Sequence, residues 1–131
     1  MAANTSPIFE KGPNSSAVQI LPADTTSKKS LVTGDATNGS RVDAINVTST
    51  DTASVVLNVY ITIGGTDYTR GSVTVAAGSG TLGAATVDLV PTLAATLGYI
   101  PLPASAVLKV AANATITTAK QVDIVASYGD Y

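Results

Sequence analysis

From Val55 to Ile63 every odd position is a large aliphatic: Val55, Leu57, Val59, Ile61 and Ile63. The even positions include Asn58, Tyr60 and Thr62, with Val56 the exception. A period of two over this length predicts a half-buried strand of an antiparallel sheet. Gly64-Gly65 then turns the chain into a second strand that ends Val73-Thr74-Val75. A two-residue loop in a regular hairpin would set Val73 and Val75 opposite Val56 and Ser54, on the wrong face. A three-residue loop, Gly64-Gly65-Thr66, sets Val73 opposite Leu57 and Val75 opposite Val55, with Tyr60 beside Arg70 and Thr62 beside Tyr68. A slip of one residue moves a whole strand to the other face, so the apolar pattern selects the three-residue loop.

The alternation returns over Gln121–Tyr128, where Val122, Ile124, Ala126 and Tyr128 oppose Gln121, Asp123 and Ser127. It returns again over Ala106–Ala111, with Leu108 and Val110 inward and Lys109 outward. Shorter strands are expected at Ala17–Leu21, Ser30–Thr33 and Thr86–Val90, and a strand of mixed pattern at Arg41–Ser49, closed by the turn Thr50-Asp51-Thr52. Gly34–Ser40 and Ala76–Gly83 read as loops. Pro91 suits the first position of a short helical turn over Thr92–Leu97 that Gly98 closes. Seven or eight short strands at this spacing predict an all-β fold, an antiparallel β-sandwich or jelly-roll-like domain. Its expected core is Val55, Leu57, Val59, Ile61, Val73, Leu108, Val110, Val122 and Ile124.

Residues 1–16 lack alternation and read as an extended N-terminal arm, leaving residues 17–131 as a single β domain. Within the arm, Pro7-Ile8-Phe9 sets the only Phe of the chain beside an Ile in a polar segment bounded by Pro7 and Pro13. Proline lowers the ordering cost of docking, and an aromatic next to an aliphatic makes an interface anchor. Pro7, Ile8 and Phe9 are therefore the candidate protein-interaction residues, the alternative being that Phe9 folds back and plugs the end of its own sandwich.

Composition narrows the chemistry. The chain has no His, Cys or Trp and a single Glu, which removes most of the groups from which acid–base, nucleophilic and metal sites are built. The carboxylates Glu10, Asp24, Asp35, Asp43, Asp51, Asp67, Asp88, Asp123 and Asp130 are scattered, mostly where turns place Asp, and no facing pair is marked. Asp35-Ala36-Thr37-Asn38-Gly39 lacks the acidic spacing and closing Glu of a calcium loop. Gly78-Ser79-Gly80 lacks the Lys and helix of a phosphate cradle. The reading is accordingly not an enzyme, with no catalytic, cofactor-binding or metal-ligating residues and no cofactor. Asn-x-Ser/Thr matches at Asn4, Asn14, Asn38, Asn46 and Asn113 follow from the abundance of Ser and Thr. Net charge −2, pI about 4.7 and only 12% charged residues argue against nucleic acid as a partner. The apolar runs are too short to span a membrane, and Met1–Ser6 has no signal-peptide pattern. A core of small aliphatics is thin and suits a chain that shares a second interface.

Several stretches carry a family likeness. They are Arg41-Val42-Asp43, Thr48-Ser49-Thr50-Asp51-Thr52, the aliphatic strand into Gly64-Gly65, and Gly71-Ser72-Val73-Thr74-Val75-Ala76-Ala77-Gly78-Ser79-Gly80. Leu102-Pro103-Ala104-Ser105-Ala106-Val107-Leu108-Lys109-Val110 and the ending Tyr128-Gly129-Asp130-Tyr131 belong with them. Together, over residues 41–131, the chain resembles small structural proteins of tailed-bacteriophage virions, of the kind that decorate and cement icosahedral heads. The resemblance implies a compact β domain, often a homotrimer, made in the host cytoplasm and placed on the outer capsid surface. There it would bridge neighbouring copies of the major capsid protein. It brings no catalytic residues. The alternatives are a tail, neck or fibre-associated β module and a carbohydrate-binding β-sandwich.

Overall fold

The computed structural model describes residues 13–131. The chain there forms nine strands: β1 (Pro13–Ile20), β2 (Lys29–Thr33), β3 (Ser40–Ser49), β4 (Val55–Ile63), β5 (Thr66–Val75), β6 (Val87–Asp88), β7 (Ile100–Leu102), β8 (Val107–Ala112) and β9 (Val122–Asp130). Helix is confined to a 3-10 turn at Pro22–Asp24 and one α turn, α1 (Val90–Leu93). Two antiparallel sheets face each other. Sheet A has the order β1-β9-β3-β6, with β7 also pairing with β3, and sheet B has the order β2-β8-β4-β5. This is the β-sandwich expected from the alternation. The strand number rises from the expected seven or eight to nine through β7, whose three residues are too few to show a period.

The core is the set of side chains that both inner faces turn toward each other. Val42, Ile45, Val47, Val122 and Ile124 come from sheet A; Leu57, Val59, Val75, Leu108 and Val110 come from sheet B, all fully buried. Ile61 and Val73, expected in the core, are half-buried at its margin. On one flank the sheets are tied together where the Ser16 hydroxyl donates to the Leu31 carbonyl. On the other, α1 packs beside β5, and Asp88 ties its first residue to β3 by accepting from the Val90 and Ile45 backbone N–H groups at 3.1 and 3.0 Å.

Three local readings need correction. Residues 13–16 belong to β1, not to an arm: Pro13 pairs with Gly129 and Ser16 with Ala126. This edge strand is held by backbone pairing to β9, so Asn14, Ser15 and Ser16 carry no apolar signal. The helical turn begins at Val90, two residues before the expected Thr92, and the expected strand at Thr86–Val90 shrinks to β6. The chain nonetheless closes at Gly98, whose N–H donates to the Ala94 carbonyl at 2.8 Å.

The third correction concerns the β4–β5 hairpin. Val75 pairs with Val55 and Val73 with Leu57, as the apolar pattern requires. The turn, however, has two residues: Ile63 pairs with Thr66, Thr62 with Asp67, Ile61 with Tyr68 and Tyr60 with Thr69. Gly64 and Gly65 adopt φ of +61° and +83°, the pair of positive φ values that a tight hairpin turn demands. Both preferences are met because the register shifts between Val59 and Tyr60, leaving Arg70 as the extra residue of a β-bulge. Gly71 follows it at φ +149°, and a Cβ there would lie 2.8 Å from Leu93 Cδ2.

Candidate functional site

The bulge decides what each face of the hairpin carries. It moves Asp67 to the outer face of sheet B, opposite Thr62, and Tyr68 to the inner face, opposite Ile61.

On the outer face Asp67 gathers a cluster. The Thr62 hydroxyl donates to it, and the Lys28 and Lys109 ammonium groups lie 2.9 and 3.3 Å from its oxygens. These contacts, the Thr62 hydroxyl first and then Lys28, hold the Asp67 carboxyl well below the usual carboxylate range. Lys28 also sits over the Tyr60 ring, 4.2 Å from its centroid, a cation–π contact that fixes both side chains. Asp67 stands on β5, Tyr60 and Thr62 on β4 and Lys109 on β8, and Lys28 arrives from the turn before β2, so the cluster spans three strands of the sheet. Sheet A has a smaller counterpart, where Arg41 stacks 4.3 Å over Tyr99 and pairs with Asp43 at 2.7 Å.

The other aspartates hold loops in place. Asp24 accepts from the Leu21 N–H and pairs with Lys29. Asp35 accepts from the Thr37 and Asn38 N–H groups. Asp130 accepts from the Ser40 hydroxyl at 2.5 Å. Asp51 is buried at the end of the sandwich far from the hairpin turn. There it accepts from the Ala53 N–H at 3.0 Å, the Thr117 N–H at 3.1 Å and the Thr117 hydroxyl at 2.7 Å. Burial pushes the Asp51 carboxyl up, but these donors outweigh it and leave it below its ordinary value. Its own carbonyl accepts from Gly78, which pins the 76–83 loop to the same hub.

Two hollows accompany these ties. One of about 240 Å³ beside Asp51 is lined by Ser54, Val56, Asn113, Thr115 and Thr117 among others. The other, about 460 Å³ and open, lies over β1 and β9 and is lined by Ala17, Val18, Gln19, Asp123, Ile124 and Val125. Asp51 turns its oxygens to backbone and hydroxyl donors, so the first hollow gathers no opposed acid and base. Among the described residues no group of three or more carboxylates is placed to hold a metal ion.

Exposed apolar side chains are the remaining feature. Ile63 and Tyr68 stand 44% and 54% exposed at the tip of the hairpin, on the side that faces inward along the rest of β4. Leu97 is 54% exposed, Val125 42%, and Leu82, on the 76–83 loop, 69%. Sequence reading missed the Asp67 cluster and the Tyr68 flank because both depend on the bulge, which no residue pattern announces. The anchor residues Pro7, Ile8 and Phe9 lie outside the described residues, as does Glu10. No protein-family model matches the chain, and no curated protein or solved structure matches it.

Proposed function

We propose that this chain is a structural virion protein that decorates the outer surface of an icosahedral phage head and cements neighbouring copies of the major capsid protein, acting as a homotrimer. The observation that carries the reading is how the side chains of the sandwich are used. Its aspartates are engaged in ties that stiffen loops and strands, while large apolar groups stand at the surface: Ile63, Tyr68, Leu82, Leu97 and Val125. Such a molecule is suited to act by rigid contact. The likeness of residues 41–131 to head-decorating proteins points the same way. A cementing role needs only modest affinity per contact, because several contacts held at fixed geometry multiply.

The test is a density map of the assembled particle together with its copy number. The reading expects hundreds of copies at symmetric positions on the head. A map with the protein absent from the head, and a few copies at the tail or neck, would refute decoration and favour a tail-associated module.

A further inference from the structure

The chain has six asparagines, and Asn38 alone is followed by glycine. That pair has a chemistry of its own in water. Glycine has no side chain to shield its backbone nitrogen and turns freely about φ, so the nitrogen can attack the asparagine Cγ once a base has taken its proton. An N–Cγ bond closes a five-membered succinimide, the Cγ–Nδ2 bond breaks, and the departing amide group picks up a proton from water and leaves as ammonia. Water then opens the ring to aspartate or isoaspartate. In isoaspartate the side-chain Cβ has entered the backbone path.

Asn38 lies on the loop between β2 and β3 and is exposed, but the attacking nitrogen beside it is not. Gly39 is buried, and its N–H donates to the Asp35 carbonyl at 3.0 Å. The Ser105 N–H donates to the same carbonyl at 3.3 Å. The Asp35 carboxylate accepts from the Thr37 and Asn38 N–H groups at 3.1 and 3.0 Å. On the other side the Tyr131 N–H donates to the Gly39 carbonyl at 3.2 Å, and Asn38 Nδ2 donates to the Tyr131 carbonyl at 3.4 Å. Gly39 holds φ +79°, and a Cβ there would lie 2.3 Å from the Leu102 carbonyl oxygen of β7. The nitrogen that must lose its proton is therefore buried, hydrogen-bonded and hemmed in by backbone.

We infer that Asn38-Gly39 is a deamidation site that the fold holds shut. It reacts from molecules in which the 35–40 loop has opened, so its rate is the intrinsic rate multiplied by the open fraction. The product does not fit back. Deamidation removes the Nδ2 donor to Tyr131 and sets a second carboxylate beside Asp35. The isoaspartate form also adds one backbone atom where Gly39 has no room. The tie between this loop and Tyr131 is then lost. None of this depends on the capsid reading.

The full chain is held at mildly alkaline pH, folded and in guanidinium chloride, and its peptides are followed by mass spectrometry. Asn38 is expected to deamidate at least about tenfold more slowly in the folded chain, with the Gly39 amide protected from hydrogen exchange by a similar factor, because both need the same opening. Asp35→Ala frees the Thr37 and Asn38 N–H groups and should speed the folded-state reaction several-fold while leaving the rate in guanidinium unchanged. The isoaspartate fraction, separated by anion exchange, should exchange its Tyr131 amide faster than the parent chain. Equal rates at Asn38 in the folded and unfolded chain overturn the inference. So does an Asp35→Ala protein that stays folded and deamidates no faster, or an isoaspartate fraction whose Tyr131 amide is as protected as the parent's. If Asp35→Ala unfolds, the comparison of folded with unfolded parent chain decides.

Discussion

Leu57 and Asp51 show the two ways in which single residues hold this fold. Leu57 is fully buried between the sheets, so Leu57→Ala should cost about 2–5 kcal/mol, read from the denaturant midpoint. A loss under about 1 kcal/mol would mean that the site collapses around the gap. Asp51 acts through charge. Asp51→Ala strands the Ala53 and Thr117 N–H groups and should cost roughly 2–4 kcal/mol in equilibrium unfolding. The pH dependence follows from the sign of the shift. The folded carboxyl ionises below its unfolded value, so its stabilisation is complete above about pH 4 and is lost as pH falls through the folded value. Acid titration of stability should therefore be shallower in Asp51→Ala than in the parent chain, and equal slopes would show that other carboxylates govern acid unfolding.

At the scale of elements, the β4–β5 hairpin is where two local rules compete. Gly64-Gly65 asks for a two-residue turn, and the valines of β5 ask for a register that such a turn does not give in a regular ladder. The bulge at Arg70–Gly71 satisfies both. Gly71 is its weak point, because φ +149° is strained for any residue with a Cβ, and an added Cβ would also push the end of the Leu93 side chain aside. Gly71→Ala should lower stability by about 1–3 kcal/mol in chemical denaturation. β3 behaves in a similar way. Its mixed pattern comes from a register shift between Val42 and Ala44, which turns Val42, Ile45 and Val47 all inward. A strand with a bulge shows no clean period, so its core residues are legible only once its partner is known.

The whole molecule sets where the sandwich begins. Because β1 starts at Pro13 and pairs along its length with β9, removing residues 1–12 should leave circular dichroism and the melting transition nearly unchanged while binding to heads falls sharply. Removing residues 1–16 takes half of β1 and the Ser16–Leu31 tie between the sheets, and should destabilise the domain as well. Thermal melts of the two truncations, beside a particle-binding assay, separate a contact role of the segment from a folding role. Unaltered binding by the shorter truncation would remove residues 1–12 from the interface.

Alternation along β4, β8 and β9 determined the fold class, most of the core and the inward faces, because a half-buried strand must repeat every two residues wherever it lies. The scarcity of His, Cys and Glu likewise limited the chemistry before any contact was known. Tertiary structure alone decided the rest. β1 reaches back to Pro13 because a backbone ladder to β9, more than a hundred residues away in sequence, needs no apolar pattern. The Asp67 cluster and the Tyr68 flank exist because one inserted residue, Arg70, exchanges the faces of everything between it and the turn. That exchange reflects a balance between turn geometry and core packing: the sequence shows each demand, in Gly64-Gly65 and in the valines of β5, but only the folded ladder shows that a bulge reconciles them.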